Sequence, residues 1–284
     1  MLKKIFFAAA LLLASELGAK PVVIASIAPV EYLAKAVGGD KIEVQSLAKG
    51  DVHSYEPKPN DMKAVAKARI FIAAGLEFEE AWIPRFKASA KNLVVVKSDA
   101  KIAKLKEERG EQAEHDEKHE AHADPHVWLN PMLAITMARN ISDALIDMDK
   151  ANKDFYLENF QKLMNDLLAF DESAKNELAG LKNRKFVVYH PAWGYFAAHY
   201  DLEQISIERS GKEPKIDEMA STLKMIKDEN IKVIFADPNR SQKSAQILAS
   251  HTGAKVELLD PLGYNLLENL KIAVGAIKDA NSPK

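Results

Sequence analysis

Four side chains that can bind a metal ion follow predicted strands at separate places in the sequence. His53 follows the second predicted strand and His126 follows the fourth, while His190 and Asp260 come directly after strands in the second half of the chain. In open α/β sheets, ligands bind in the crevice beyond the carboxyl ends of the strands. We therefore expect these four side chains to line one crevice, with two of them contributed by each half.

Three imidazoles and one carboxylate are a donor set suited to a transition metal. Imidazole favours Zn, Cu and Ni, whereas sites built only from oxygen favour Mg, Ca and Mn. Zinc holds nitrogen donors at about 2.0–2.1 Å in a tetrahedral arrangement. The set His53, His126, His190 and Asp260 thus predicts a closed, four-coordinate site. Because ligating imidazoles must be neutral, binding is expected to release protons and to weaken below about pH 6.

Prolines stiffen the backbone around His126. The run Asp124-Pro125-His126-Val127-Trp128-Leu129-Asn130-Pro131 contains two prolines, each of which fixes its own φ and keeps the preceding residue extended. A histidine held in such a frame is either a poised ligand or a packed turn residue, and this run alone does not decide between them.

The elements that position these residues alternate between strands and helices. Apolar, β-branched runs predict four strands in each half of the chain, at 21–27, 41–47, 69–74, 93–97, 185–189, 202–207, 232–236 and 255–259. Strands separated by helices indicate parallel sheets. The fold class predicted is α/β, with an N-terminal lobe over 20–149 and a C-terminal lobe over 182–284. Each lobe has a four-stranded parallel sheet flanked by helices.

One long helix is predicted between the lobes, over 150–181. Residues 152–180 contain no proline and no internal glycine, and apolar residues recur close to every 3.6 positions. A continuous helix of this length reaches about 40 Å and resists bending, so small movements between the lobes are expected. The alternative is two shorter helices with a break near Asn165.

The N-terminus has the order of a secretory signal peptide over 1–19. Lys3 and Lys4 precede the apolar run Ile5 to Ala14, and small residues precede Lys20. The apolar run is too short to span a bilayer as a helix. The chain has 0 cysteines, so we expect neither disulfides nor a lipid-bearing cysteine at the cleavage point. These features predict a protein that diffuses freely in a bacterial periplasm.

The charges of the chain do not indicate a basic surface for binding nucleic acid. The formal net charge is −2, and acidic and basic residues are interspersed. No nucleic-acid partner is therefore predicted.

A polar segment at about 101–123 is predicted to be a mobile surface loop. It is dominated by Lys, Glu, Asp, Ala and His, and it carries His115, His119 and His122. These histidines either sit in an ordinary charged loop or form a weak, flexible tract that collects metal, and whether they bind a second ion stays open.

Four motifs carry a resemblance to a known family. They are His53-Ser54-Tyr55-Glu56-Pro57, Asp124-Pro125-His126-Val127-Trp128-Leu129-Asn130-Pro131, His190-Pro191-Ala192-Trp193-Gly194-Tyr195-Phe196 and Leu259-Asp260-Pro261-Leu262-Gly263. With these motifs in this order, essentially the whole mature chain resembles the zinc-binding periplasmic component of ABC metal importers, the cluster A-I solute-binding proteins. The resemblance implies two lobes joined by one rigid helix, which agrees with the pattern of elements described above.

The resemblance also implies roles for individual residues. The metal-binding histidines of the family and its second-lobe aspartate fall on the four candidates already named. Manganese members place a carboxylate where His190 stands, so a histidine there resembles the zinc type. Val52 stands where some zinc members offer an acidic group, so the fourth ligand stays open among Asp260, Glu208 and water.

The leading hypothesis is a monomeric, high-affinity binding protein that carries Zn²⁺ as transported cargo to an inner-membrane ABC permease. One alternative is an importer component for manganese or another divalent metal. Another is a zinc-dependent hydrolase, with Glu56 or Glu208 as the base. The sequence has no His-Glu-x-x-His helix and no nucleophile elbow, which favours binding without catalysis.

Overall fold

The N-terminal lobe, called lobe one, is built on a four-stranded parallel sheet. A computed structural model describes residues 20–106, 123–208 and 216–281. The strand order is β2-β1-β3-β4, and every neighbouring pair is parallel. The strands are β1 (Val22–Ala25), β2 (Glu43–Ser46), β3 (Ile70–Ala73) and β4 (Val94–Lys97). The helices are α1 (Ala28–Gly38), α2 (Pro59–Val65), α3 (Glu77–Ser89) and α4 (Pro131–Met148).

The C-terminal lobe, called lobe two, repeats this plan with the order β6-β5-β7-β8, again parallel throughout. Its strands are β5 (Lys185–Val188), β6 (Glu203–Ser206), β7 (Val233–Ala236) and β8 (Lys255–Leu258). Its helices are α6 (Gly194–His199), α7 (Ile216–Asp228), α8 (Lys243–Thr252) and α9 (Leu266–Asn281). The central strands β3 and β7 are buried along their whole length, as expected of parallel sheets covered on both faces. The predicted fold class of two such lobes is confirmed.

A single helix, α5 (Lys153–Ala179), joins the lobes. Its 27 residues correspond to about 40 Å, and the helix passes through Asn165 without interruption, so the alternative of two shorter helices is wrong. Tyr156, Phe160 and Leu167 are among its buried residues. They pack α5 against α1 and α4 of lobe one, while the far part of α5 contacts α9.

The larger hydrophobic core is continuous from lobe one through α5 to part of lobe two. Trp128, Trp193 and Phe71 are among the largest fully buried side chains in it. A smaller cluster around Ile234 and Leu248 lies between the second sheet and helices α7 and α8. The last helix, α9, turns its apolar face towards α5, α1 and β5, so the end of the described chain is packed onto both halves.

Candidate metal centre

Three histidines predicted from the strand ends meet between the lobes. One ring nitrogen from each of His53, His126 and His190 lies within 4.8 Å of the others. The ring centroids are 5.4 Å apart for His53 and His126, 4.9 Å for His53 and His190, and 5.2 Å for His126 and His190. Nitrogens gathered this closely need only small shifts to surround one ion, because two donors bonded at about 2.0–2.1 Å lie no more than about 4.2 Å apart.

His126 is oriented by a carboxylate two residues before it. Asp124 Oδ1 lies 2.9 Å from the backbone nitrogen of His126 and 2.7 Å from its Nδ1, and both side chains are buried. A carboxylate is a usual partner for the second ring nitrogen of a metal-binding histidine. Here it favours the tautomer with the proton on Nδ1, which leaves the lone pair of Nε2 for a metal ion. The Trp128 indole N–H, which donates to the carbonyl of Pro261 at 2.8 Å, anchors the following turn to lobe two.

His190 follows β5 and is oriented in the same way from within lobe two. Its Nδ1 lies 2.8 Å from Oε2 of Glu208, which follows β6. Its Nε2 is buried and has no hydrogen-bond partner among the residues that the structure describes. A buried polar atom without a partner is costly, and a metal ion at this position would satisfy it. The donor chemistry and this orphaned nitrogen both fit a transition-metal ion.

His53 is the exposed member of the three. Its loop is shaped by Asp51, whose carboxylate accepts hydrogen bonds from the His53 backbone N–H and the Ser54 hydroxyl, each at 3.2 Å. Desolvation within the cluster, followed by the nearby His126 and Arg240, lowers the pKa of His53 to about 4. The pH at which binding weakens through His53 is therefore lower than the value of about 6 expected from an ordinary histidine.

Burial also holds the pKa of His190 well below its usual range, with further lowering from His126, His53 and Arg240. The neutral form of an imidazole is the form that binds a metal. Two of the three rings are thus kept in the ligating state by their surroundings at neutral and mildly acidic pH.

Arg240, from the connection between β7 and α8, is a cation that sequence reasoning missed. Its Nη1 lies 2.9 Å from Glu208 Oε2 and 2.5 Å from His190 Nδ1, and its Nη2 lies 3.6 Å from Asp51 Oδ2 in lobe one. It therefore links the carboxylate that orients His190 to the loop that carries His53. Its position soon after β7 is the only signal of this role in the sequence, and arginine is not a metal ligand.

A cavity of about 190 Å³ adjoins the cluster. His126 and His190 form part of its wall, together with Leu105, Lys106 and Gly194. It lies between the lobes, beside these two rings.

A comparison with protein families decides the relationship. The model described as zinc-uptake complex component A, periplasmic (ZnuA), matches residues 23–280. The chain belongs to this family. Among curated relatives, the high-affinity zinc uptake system protein ZnuA of Bacillus subtilis is 30% identical over 284 residues, which cover 93% of this chain and 88% of that protein. The predicted resemblance to the zinc-type cluster A-I proteins is confirmed.

Solved ZnuA structures share the fold of this family member. One, described as ZnuA, matches with a TM-score of 0.87 and 35% identity, covering 93% of this chain and 100% of that one. A second, a ZnuA deletion mutant with zinc bound, matches with a TM-score of 0.86 and 34% identity, covering 93% and 99%. The architecture of two lobes and one connecting helix is therefore that of the ZnuA family.

The fourth candidate, Asp260, is not one of the gathered donors of this ZnuA-family chain. It follows β8, and its Oδ1 accepts hydrogen bonds from the Leu262 backbone N–H and the Asn239 side chain, each at 2.8 Å. Among the described residues, the donor group within 4.8 Å contains the three histidines only. Glu208, the other candidate, is engaged with His190 and Arg240.

The remaining histidines lie elsewhere or outside the described residues. His199 bonds Asp171 of α5 through Nε2 at 2.6 Å, as a packing residue, and His251 lies at the end of α8. The loop histidines His115, His119 and His122, and the predicted signal peptide 1–19, fall outside the described residues. Within the described ranges, none of the helices is both long enough and apolar enough to cross a membrane.

Proposed function

We propose that this ZnuA-family protein captures Zn²⁺ in the cleft between its lobes and delivers it to an inner-membrane ABC permease. The observation that carries the proposal is the convergence of His53, His126 and His190, where the buried Nε2 of His190 has no hydrogen-bond partner in the described part of the chain. Three imidazoles favour zinc over manganese, which prefers oxygen donors. Relatives of the chain are named for zinc uptake, and one solved relative holds zinc.

The chemistry proposed is coordination, with no covalent bond made or broken in the cargo. Lobe one contributes His53 and His126, and lobe two contributes His190. Asp124 and Glu208 hold two of the rings through Nδ1, so that Nε2 faces the ion. Because the pKa values of His53 and His190 are already lowered, little proton release from these two rings accompanies binding at neutral pH.

Asp260 is proposed as the fourth ligand, with water as the alternative. Its hydrogen bonds from Leu262 and Asn239 both go to Oδ1, which leaves Oδ2 as the oxygen for the ion. It stands after β8, the last strand of lobe two. Glu208 is the weaker candidate because it already binds His190 and Arg240.

The partner and location follow from the family. We propose that the predicted signal peptide 1–19 directs export and that the mature chain acts as a monomer in the periplasm, since the family is described as the periplasmic component of a zinc-uptake complex. A membrane contact is then needed only at the permease.

A non-catalytic role is proposed over that of a zinc hydrolase. A hydrolase needs a base within reach of a metal-bound water. Glu208 is held by an imidazole and a guanidinium, and Glu56 is exposed on the lobe-one loop. Hydrolysis of ester or peptide model substrates that disappears on chelation would support the hydrolase instead.

Metal analysis of protein purified from a periplasm without added metal tests the proposal. We expect the wild-type chain to retain a single zinc ion and His190→Ala to lose most of it. His251→Ala, which removes an exposed histidine from α8, is the matched control and should retain zinc. Full retention of zinc by His190→Ala would contradict the assignment.

A further inference from the structure

The hydroxyl group of Tyr195 joins the two lobes at one point. Tyr195 lies on α6 of lobe two and is buried. Its hydroxyl oxygen accepts a hydrogen bond from the Leu105 backbone N–H at 2.8 Å and donates one to the Asp124 carbonyl at 2.8 Å. The Asp124 N–H also donates to the Leu105 carbonyl at 3.0 Å. One phenol therefore fastens two segments of lobe one, distant in sequence, to lobe two.

The Asp124 residue held in this way is the one that orients His126. Its carbonyl is bound by Tyr195, while its Oδ1 is bound by the His126 backbone N–H at 2.9 Å and by Nδ1 at 2.7 Å. A third tie comes from the Asn130 side chain, which donates to the Tyr195 carbonyl at 3.3 Å. Tyr195 thus contacts lobe one on both sides of the histidine.

The residue before Tyr195 makes room for the same carboxylate. A Cβ atom at Gly194 would lie 3.2 Å from Asp124 Oδ2, a distance tighter than ordinary van der Waals contact between such atoms. The start of α6 is therefore shaped to receive Asp124 in two ways, through the absent side chain of Gly194 and through the phenol that follows it.

The Tyr195 hydroxyl stays protonated, so it can act as hydrogen-bond donor and acceptor at the same time. Burial raises the pKa of Tyr195 to about 12, so the proton that it donates to the Asp124 carbonyl is present throughout the physiological range. Without this hydroxyl, the buried Asp124 carbonyl and the less deeply buried Leu105 N–H would each lose a partner. Buried polar groups left unpaired are expensive, so the local backbone would have to move to regain hydrogen bonds.

We propose that Tyr195 is a positioning residue that holds the Asp124–His126 pair of lobe one in register with His190 of lobe two. Its effect on zinc rests on the proposed function, whereas its effect on the geometry of His126 does not. The donor set is split between the lobes, so the cross-lobe bond at Asp124 contributes to how firmly His126 is presented to the ion. Loss of that bond should mainly speed zinc release.

The test is Tyr195→Phe in the full mature chain, which removes one oxygen atom. Partners of metal ligands typically contribute 10–100-fold to metal affinity, and we expect about tenfold faster zinc release into a chromophoric chelator for this more distant contact. Tyr200→Phe is the matched control. It makes the same change next to α6, where the Tyr200 ring packs on Phe196 and His199, each at a centroid distance of 4.7 Å, and it should release zinc at the wild-type rate.

A spectroscopic readout separates positioning from general stability. In metal-free protein labelled with ¹⁵N-histidine, the Nδ1–H proton of His126 bonded to Asp124 should shift or broaden in Tyr195→Phe but not in Tyr200→Phe. Gly194→Ala, which keeps the hydroxyl and presses on Asp124 Oδ2, should perturb the same proton and serves if Tyr195→Phe folds poorly. Unchanged release and an unchanged proton signal in folded Tyr195→Phe would overturn the proposal. A wild-type chain that fails to bind zinc would refute the proposed function and leave the proton test intact.

Discussion

Replacing Asp124 tests whether an oriented imidazole, rather than its mere presence, makes the site. Asp124→Asn keeps the size of the side chain and an oxygen for the His126 N–H groups, but it removes the negative charge from the 2.7 Å contact with Nδ1. Asp124→Ala removes the acceptor altogether, so the backbone N–H and the Nδ1–H of His126 both lose this hydrogen-bond partner. The two variants therefore separate the contribution of the charge from that of the hydrogen bond.

The expected losses follow from the burial of the pair. Asp124 and His126 have 7% and 4% of their surface exposed, so solvent screens their interaction little. Charge-assisted hydrogen bonds are roughly twice as strong as neutral ones, and loss of an outer-shell partner costs about 10–100-fold in metal affinity. We place Asp124→Asn near the lower end, at about 1.4 kcal/mol, and Asp124→Ala near the upper end, at about 2.8 kcal/mol.

The measurement is competition for zinc against a chelator of known affinity at neutral pH. Asp143→Asn, which removes an exposed carboxylate from α4, is the control for a change in net charge and should bind as the wild type does. Equal affinity for wild type and Asp124→Ala, with the variant still folded, would refute the reasoning that Asp124 orients His126 for the ion.

Four further outcomes are expected. Glu208→Gln should weaken zinc binding about tenfold, measured by the same competition, because it removes the charge at His190 Nδ1. Arg240→Gln and Asp51→Asn should each speed zinc release by about two- to fivefold, as expected for a partly exposed ion pair; single effects that multiply fully in the double variant would contradict a shared bridge. The free energy of unfolding of metal-free protein should fall as pH drops from about 6.5 to about 4, because the unfolded state takes up protons that folded His53 resists. Urea titrations measure this slope, which His53→Ala should reduce. Chelation should lower the Tm, since zinc at 1,000 times its Kd stabilises the fold by about 4 kcal/mol.

The sequence predicted the sheets and the long helix because their signals are local. Buried parallel strands such as β3 and β7 read as continuous β-branched and aromatic runs, and α5 has an unbroken 3.6-residue period. Two helices lacked so clear a signal. Helix α3 contains Pro84, and α9 contains Gly275, and both residue types lower helix propensity.

Only part of the candidate site could be predicted from the sequence, because some of its contacts depend on how the two lobes meet. The strand-end rule brought out His53 and His190, which come soon after β2 and β5, whereas His126 lies far beyond β4 and was marked by the two prolines that frame it. The cross-lobe pair of Arg240 and Asp51 depends on how the lobes meet, which no local pattern records. The role of Asp260 depends on which carboxylate oxygen is already engaged, and that too is a property of the folded arrangement.

The uninterrupted course of α5 has a consequence for how a permease recognises its cargo carrier. Because α5 packs on α1 and α4 of lobe one and on α9 of lobe two, we expect the outline of the molecule to change little when an ion binds. On that expectation, the signal that distinguishes a loaded carrier from an empty one comes from the rim of the cleft, where Arg240 faces Asp51 of the His53 loop. A permease that contacts these rim residues can then distinguish the zinc-bound protein from the empty one without a large movement of the lobes.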